Sequence, residues 1–457
     1  MSEVRPIDPV AVPGECVALP CAQPARARRE RLAVRLREGV AVLATAPESV
    51  RNRDTHHPYR FDSHFFYLTG FAEPEAVLVL VAGATPRHIL FCRPRDPDRE
   101  LWDGRRHGPE AARVRFGFDE AYPIDELDAR MPDLLADQPV LHCVLGESAA
   151  WNQQVSGWLA AVRVRTRSGV RAPDLLAEIR GPIDEMRRIK DAGEIATMRR
   201  AAAISGRAHR RAMHAALPGR HEYEVEAELL HEFRRSGAQA PAYPSIVAAG
   251  ANACVLHYVE NDAALRPGEL LLIDAGCELD GYASDITRTF PIDGRFTGEQ
   301  RALYECVLAA QAAAIAAVAP GASWQAPHDA AVAVLARGFV DLGLLQGPVE
   351  RVIESGDYRR FYMHRTGHWL GLDVHDAGEY KDRESGDWVR LQPGNVTTVE
   401  PGCYVRPGEG VPERFWNIGI RIEDDVLVTE DGCEVLTPDA PKAVADIEAW
   451  MRERPRA

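Results

Sequence analysis

The cysteines of this sequence of 457 residues lack any paired spacing. Nine cysteines are scattered from Cys16 to Cys433, and none belongs to a CxxC pair. A disulfide framework or a thiolate zinc site would require cysteines at characteristic spacings. The sequence therefore favours neither, and we expect most of the cysteines to be reduced and several to be buried.

Long apolar runs are also missing. Met1 to Pro24 contains no basic segment followed by an apolar core of signal-peptide length. No later stretch reaches the roughly 20 consecutive apolar residues that a membrane-spanning helix needs. We therefore expect a cytoplasmic protein that does not bind or span a membrane.

The sequence also lacks an excess of positively charged residues. The sequence has 54 Lys and Arg against 68 Asp and Glu, a formal net charge of −14. Because affinity for phosphates depends largely on clustered Lys and Arg, this balance argues against a nucleic-acid partner. A small-molecule or peptide substrate fits better.

The length and composition predict a soluble protein of two domains. Single cores rarely grow beyond about 250 to 300 residues, so 457 residues exceed one ordinary core. Apolar residues make up 46% and charged residues 27%, as in globular proteins. A change to Arg-, Ala- and Met-rich helical sequence places the boundary near Gly181, giving domains 1–182 and 183–457.

The first domain alternates strand-like and helical patterns, which predicts a mixed α/β fold. A basic helix begins near Arg26, and its charges are interpreted as a solvated face. The second domain alternates long helical patterns with short β-rich segments. The predicted helices there are 222–235, 298–318 and 327–342, after helical sequence over 183–217; the predicted strands are 270–274, 285–291, 396–400 and 419–428.

Four of these β-rich segments carry an acidic residue at or near the end of an apolar run. Asp274 and Glu400 end such runs, Asp285 follows a turn, and Glu423 lies inside Gly419 to Asp425. A buried carboxylate without a partner is very costly, so cations are expected beside them. For Asp274 and Asp285 alone, a turn cap and an ion pair with Arg288 explain the pattern equally well.

His368 is the fifth candidate ligand, since a neutral imidazole binds divalent transition metals well. One imidazole with four carboxylates suits two divalent ions. Mn²⁺ is the first choice, and Co²⁺ or Zn²⁺ are alternatives. Two such ions can share a water and lower its pKa, which would supply a hydroxide nucleophile without a catalytic Ser or Cys.

In chain order, Asp274, Asp285, His368, Glu400 and Glu423 resemble the metal ligands of the pita-bread metallopeptidases. That group includes methionine aminopeptidase, prolidase and aminopeptidase P. The segments 276–291 and 368–376 closely resemble aminopeptidase P and its near relative prolidase, and the segments 51–80 are similar to the amino-terminal domain of aminopeptidase P. The resemblance implies an α/β (α+β) fold, with a mixed α/β, creatinase-like first domain followed by a pita-bread catalytic domain.

The resemblance also implies roles for the five ligands. Asp285 and Glu423 would bridge the two metals, and Asp274 would complete one ion. His368 and Glu400 would complete the other, and Glu400 would also accept the proton of the attacking water.

Further residues are candidates for contacts with the substrate. His257, His364 and His375 match family positions that contact the substrate and the transition state. Arg421 could pair with Asp274 and with Tyr404, although a plain structural ion pair is a close alternative. Trp102 and Tyr404 are the candidate substrate-binding aromatics. Trp102 resembles an aromatic residue that packs on the proline ring in a neighbouring subunit, with core packing as the alternative.

The predicted function is metal-dependent removal of the amino-terminal residue from peptides with proline in the second position. The alternatives are prolidase, which cleaves Xaa-Pro dipeptides, and a catalytically inactive pita-bread protein that binds peptides or partners. A metal-independent amidinohydrolase of the creatinase type is disfavoured by the complete ligand set. A homodimer or homotetramer is expected from the resemblance.

Overall fold

The computed structural model describes residues 22–454 and divides the chain into two compact units, Met1–Ile183 and Asp184–Ala457. Cys16 and Cys21 lie outside the described residues. The seven cysteines within the described part of the chain are free, and five of them are buried. In that same part, no helix combines the length and the apolarity required to cross a bilayer.

Unit 1 is built on a mixed sheet of six strands in the order β6-β5-β4-β1-β7-β8. The neighbours of β4 run antiparallel to it, and the remaining pairs are parallel. A separate hairpin joins β2 and β3. The strands are β1 (Gly39–Ala44), β2 (Val50–Asn52), β3 (Thr55–His56), β4 (Val77–Ala82), β5 (Arg87–Cys92), β6 (Glu120–Pro123), β7 (Val140–Cys143) and β8 (Leu175–Glu178).

Six helices accompany the sheet, and a seventh crosses the boundary between the units. They are α1 (Ala22–Leu36), α2 (Ser63–Thr69), α3 (Pro97–Asp103), α4 (Gly108–Phe116), α5 (Leu127–Leu135), α6 (Ala149–Val164) and α7 (Arg180–Arg188). The interpretation of the basic helix as a solvated face is wrong in part. Arg29 of α1 is fully buried, because its guanidinium donates to the carbonyls of Leu68, Phe116 and Gly117.

Unit 2 combines small antiparallel sheets with long helices. Its sheets have the orders β10-β11-β14, β13-β12-β9, β15-β18-β19 and β16-β17. The strands are β9 (Ala240–Pro241), β10 (Ile246–Ala249), β11 (Leu270–Asp274), β12 (Cys277–Leu279), β13 (Tyr282–Ala283), β14 (Thr287–Pro291), β15 (Val396–Val399), β16 (Gly402–Val405), β17 (Ile418–Arg421), β18 (Asp424–Val428) and β19 (Cys433–Val435). The helices are α8 (Ala192–Ala215), α9 (Glu222–Arg235), α10 (Gly298–Ala316), α11 (Ala326–Asp341), α12 (Val349–Ser355) and α13 (Val444–Arg452).

The helical sequence over 183–217 forms two helices, with a break between α7 and α8. Asp191 caps α8: its carboxylate accepts from the backbone of Gly193 and Glu194, and the Glu194 carboxylate accepts from the Asp191 N–H. Such a reciprocal capping box stabilises a helix start.

The predicted strand 419–428 is two strands, β17 and β18, separated by Ile422 and Glu423. The N–H of Glu423 donates to the Thr287 carbonyl, 3.0 Å away, and the hydroxyl of Thr289 donates to the Arg421 carbonyl. The chain therefore leaves the β16 ladder and runs against β14 for a few residues. This crossing connects the sheet that carries Asp285 to the strands that carry Glu423.

Candidate metal centre

The four candidate carboxylates lie at strand ends. Asp274 is the last residue of β11, and Asp285 precedes β14 by two residues. Glu400 directly follows β15, and Glu423 lies between β17 and β18. Sites on strands are held more precisely than sites on loops, because the flanking ladder fixes the backbone. The apolar runs thus form the core, and the acids at their ends form the site.

His368 comes from an irregular segment that is tied to β15. The N–H of Thr398 and the hydroxyl of Thr397 each donate to the His368 carbonyl over 3.0 Å. The imidazole Nδ1 donates to the Trp369 carbonyl, also over 3.0 Å. The other ring nitrogen, Nε2, lies 3.5 Å from Asp285 Oδ2 and 3.9 Å from Glu400 Oε1.

Three of the predicted ligands form a compact donor cluster. One donor atom each of Asp285, His368 and Glu423 lies within 4.8 Å of the others, and Glu400 Oε1 lies 3.9 Å from His368 Nε2. Asp274 joins through Tyr243, whose hydroxyl donates to Asp274 Oδ1 over 2.7 Å and also to Asp285 Oδ1. The structure therefore brings together all five residues that were predicted as ligands.

The electrostatics of this cluster favour a bound cation. Burial, followed by the charge of Asp274, raises the pKa of Asp285. Burial also raises the pKa of Glu423 well above its usual range and that of Glu400 to about 7. Burial alone would lower the pKa of His368, but Asp285 and Glu400 outweigh it and raise the value to about 9. The protein by itself therefore leaves the negative charge under-compensated.

The donor set fits two divalent cations. Four carboxylates and one imidazole offer hard oxygen donors with one nitrogen, as Mn²⁺ and similar ions prefer. Arg421 contributes one positive charge, since its Nη2 donates to Asp274 Oδ2 over 2.6 Å. One guanidinium cannot balance four buried carboxylates, and two divalent ions can.

Arg421 also reaches Tyr404 and, through it, His364. Its Nη1 donates to the Tyr404 hydroxyl over 3.0 Å, and that hydroxyl lies 2.8 Å from His364 Nε2. The His364 Nδ1 donates to the Arg365 carbonyl, so both ring nitrogens are engaged. Tyr404 is 1% exposed. This placement favours support of Arg421 and His364 by Tyr404 over direct contact with a substrate.

The other two candidate histidines differ in their position and in their exposure to solvent. The His375 ring lies 4.3 Å from the His368 ring in an edge-to-face arrangement. His257 is exposed and follows the short 3₁₀ turn Gly250–Cys254. Burial, then the charges of His368 and His257, lowers the pKa of His375.

Trp102 lies in unit 1, on the short helix α3, and is 86% exposed. Its ring is therefore not part of the core of that unit, which was the alternative interpretation. The neighbouring Leu101 is exposed as well. The contact with a proline ring stays a prediction.

Two residues of the site were missed by the sequence analysis. Tyr243 bonds two of the carboxylates, and the hydroxyl of Thr287 donates to Glu423 Oε2 over 2.7 Å while accepting from Arg421 Nε. Tyr243 lies in Ala-Tyr-Pro, far in sequence from every ligand, so no local motif marks it. Thr287 is two residues after Asp285, and the alternation of side chains along a strand could have placed it on the same face.

Comparison with known proteins places this site in a family. The profile described as "Metallopeptidase family M24" matches residues 196–430, and the profile "Aminopeptidase P, N-terminal domain" matches residues 25–142. The chain belongs to metallopeptidase family M24. All five candidate ligands fall within the M24 match, and the two matches confirm the predicted fold of both domains.

Individual M24 relatives cover almost the whole chain. The Xaa-Pro aminopeptidase of Escherichia coli is 44% identical over 93% of this chain and 96% of its own length. The structure of Pseudomonas aeruginosa aminopeptidase PepP is 49% identical, covers 95% of this chain and 99% of that one, and has a TM-score of 0.92. Zn-substituted E. coli aminopeptidase P in complex with product is 42% identical, covers 95% and 99%, and has a TM-score of 0.92. The predicted resemblance to aminopeptidase P is confirmed.

Substitution of Tyr243 tests whether its hydroxyl helps to hold the metal ligands of this site. Tyr243→Phe should weaken binding of divalent metal by about 10- to 100-fold, because hydrogen-bond partners of metal ligands typically contribute that much. Calorimetric titration of metal-stripped protein with Mn²⁺ would measure the change. Tyr304→Phe is the matched control, since its buried hydroxyl donates to the Lys442 carbonyl instead. Wild-type affinity in Tyr243→Phe would contradict a role of this hydroxyl in holding the ligands.

Proposed function

We propose that this chain removes the amino-terminal residue from peptides with proline in the second position, using divalent cations held by Asp274, Asp285, His368, Glu400 and Glu423. The observation that carries the proposal is the convergence of these four carboxylates and one imidazole from distant segments of unit 2. Membership in family M24 and the Xaa-Pro aminopeptidase relatives support the substrate class. The enzyme is thus a metal-dependent exopeptidase.

The metals and the protein have different tasks. When bound, two divalent ions lower the pKa of a water molecule and polarise the scissile carbonyl. Asp274, Asp285, His368, Glu400 and Glu423 would hold these ions; as the resemblance implies, Asp285 and Glu423 would be shared by both, Asp274 would complete one site, and His368 and Glu400 would complete the other. Glu400 would also accept the proton that the attacking water loses; its carboxylate lies beside His364 and His368.

We assign the three histidines two different roles: hydrogen-bond donation to the substrate, and stabilisation of neighbouring site residues. We assign His257 and His375 to the developing charge on the substrate carbonyl and to the leaving proline nitrogen, because imidazoles donate well near neutral pH. His364 has both nitrogens engaged by Arg365 and Tyr404. We therefore assign it to the support of Glu400 and Arg421.

The decisive experiment compares two substrates. Metal-stripped protein is assayed on Arg-Pro-Pro and on the dipeptide Ala-Pro, before and after addition of Mn²⁺, with Co²⁺ and Zn²⁺ in parallel. We expect Mn²⁺ to give the fastest release of arginine from the tripeptide, with little cleavage of the dipeptide. A preference for Ala-Pro would instead identify prolidase activity. No cleavage of either substrate with any metal would favour a peptide-binding protein without catalytic activity.

Location and assembly are part of the same proposal. We propose a cytoplasmic enzyme that forms a homodimer or homotetramer, on the basis of the resemblance to aminopeptidase P. Cell fractionation and light scattering coupled to size-exclusion chromatography measure both properties. Recovery in a membrane or periplasmic fraction would contradict the first, and a monomeric mass would contradict the second.

A further inference from the structure

A buried carboxylate closes the loop that carries His257. Glu222, the first residue of α9, is 0% exposed. Its Oε1 accepts from the N–H of Ala249 over 2.7 Å and from the Asn252 amide over 3.1 Å. Its Oε2 accepts from the Tyr258 hydroxyl over 2.8 Å and from the N–H of Ala263 over 2.9 Å. One side chain thus holds both ends and the middle of residues 249–263.

These four donors are neutral, and their arrangement explains how the carboxylate is tolerated. A buried ionised carboxylate is stable only where hydrogen bonds replace its hydration. Here both oxygens receive two bonds each, from two backbone N–H groups, one amide and one phenol. Hydrogen bonds to an ionised acceptor are stronger than neutral ones, so the loop is fixed more firmly than neutral contacts alone would fix it.

The bond to Tyr258 connects this anchor to the site. Tyr258 is buried and directly follows His257, which is exposed. A histidine on an irregular loop has a defined position only if its backbone is fixed nearby. Glu222 fixes the adjacent residue and closes the loop at Ala249 and Ala263, and the four hydrogen bonds described above come from residues other than the five candidate ligands.

We propose that Glu222 is a positioning residue that acts through His257. It holds the loop so that the imidazole meets the substrate at the metal centre, and it leaves metal binding to the other loops and strands. This inference rests on the proposed role of His257 in peptide hydrolysis. The clamp on the loop, however, can be measured apart from that activity.

The test uses Glu222→Gln. A glutamine keeps the size of the side chain but places an NH₂ group where donors already converge, so it cannot accept all four bonds. We expect kcat/KM for Arg-Pro-Pro to fall by about 10- to 100-fold, because a small misplacement of a reacting group can cause a loss of that size. The number of bound Mn²⁺ ions and their affinity should not change. Glu228→Gln on the same helix is the control, since Glu228 pairs with Arg211.

A double-mutant cycle separates positioning from a general structural role. His257→Ala should lower kcat/KM, and Glu222→Gln should add little further loss in that background. Losses that multiply independently would overturn the proposal, and so would a loss of metal affinity in Glu222→Gln. If Glu222→Gln does not fold, Tyr258→Phe removes one bond of the four and should show the same dependence on His257 at a smaller amplitude.

Amide hydrogen exchange of the full-length, metal-loaded protein provides the independent readout. Residues 250–263 should exchange at least several-fold faster in Glu222→Gln than in the wild type, while the peptides that carry Asp285 and Glu423 should not change. Unchanged exchange in the loop would overturn the proposed clamp. If the wild type proves inactive on Xaa-Pro peptides, the exchange result still decides whether the clamp exists, and the failure then belongs to the proposed function.

Discussion

Asp285→Asn should lower kcat/KM for Xaa-Pro peptides by more than about 100-fold, because it removes a central charge from the metal centre. Loss of a hydrogen-bond partner of a metal ligand typically costs 10- to 100-fold, and loss of a ligand should exceed that. The Asp285 carboxylate lies beside His368, accepts a hydrogen bond from Tyr243, and belongs to the donor cluster that includes Glu423. The neutral amide is a poorer donor to a divalent ion and cannot serve two ions equally.

Metal binding measures this prediction without reference to catalysis. Saturating Mn²⁺ should raise the thermal midpoint of the wild type, since a ligand at about 100 times its Kd stabilises the folded state by roughly 2.7 kcal/mol. The same addition should have little effect on Asp285→Asn. Asp280→Asn is the matched control, because Asp280 is an exposed aspartate of the preceding turn that pairs with Arg200. Full metal stabilisation of Asp285→Asn would contradict its assignment as a ligand.

Two of the candidate ligands stand out in the sequence because each one ends an apolar run. Asp274 and Glu400 are conspicuous for this reason: a core strand that ends in an acid requires an explanation within the sequence itself. The strands that lead to Asp274 and Glu400 were predicted to within one residue, as Leu270–Asp274 and Val396–Val399 show. Local hydrophobicity and turn residues sufficed for these elements.

The surroundings of the ligands could not be predicted in the same way, because they depend on contacts between distant segments. Tyr243 approaches Asp274 and Asp285 across 31 and 42 residues of sequence. Arg29 is buried because carbonyls of α2 and α4 converge on it, which its own helix does not reveal. The break between β17 and β18 likewise depends on β14. A pattern within one segment carries no information about such partners.

A second set of distant contacts predicts a large loss of stability for Asp376→Asn. Asp376 follows His375, and its side chain is 1% exposed. Its Oδ1 accepts from Arg187 Nη2 over 2.6 Å, and its Oδ2 accepts from Lys190 Nζ over 2.9 Å; both cations are equally buried. The neutral amide would leave two buried cations without their common counter-charge. Breaking a buried ion pair in this way costs about 3 to 5 kcal/mol in the free energy of unfolding.

Asp373→Asn is the matched control, since Asp373 accepts from the same Arg187 nitrogen over 2.7 Å but is 41% exposed. Solvent screens that pair, so its loss should cost no more than about 1 kcal/mol. Urea denaturation of the metal-free proteins would compare the two variants. Equal losses would show that burial does not decide the effect. Adding Lys190→Met to Asp376→Asn should recover part of the stability, because it removes the buried ammonium group that donates to Asp376, whereas Arg187 keeps Asp373.

The pH dependence of this loss has a definite sign. Burial alone would raise the pKa of Asp376, but Lys190 and Arg187 outweigh it and hold the value below its ordinary 3.8. A carboxylate with a lowered pKa in the folded state contributes stability above the unfolded pKa and loses it as the pH falls through the folded value. The difference between wild type and Asp376→Asn should therefore be constant from about pH 5 to pH 8 and should shrink in stronger acid. A difference that grew with acidity would mean that the neutral carboxyl, and not its charge, holds Arg187 and Lys190 beside the loop of His375.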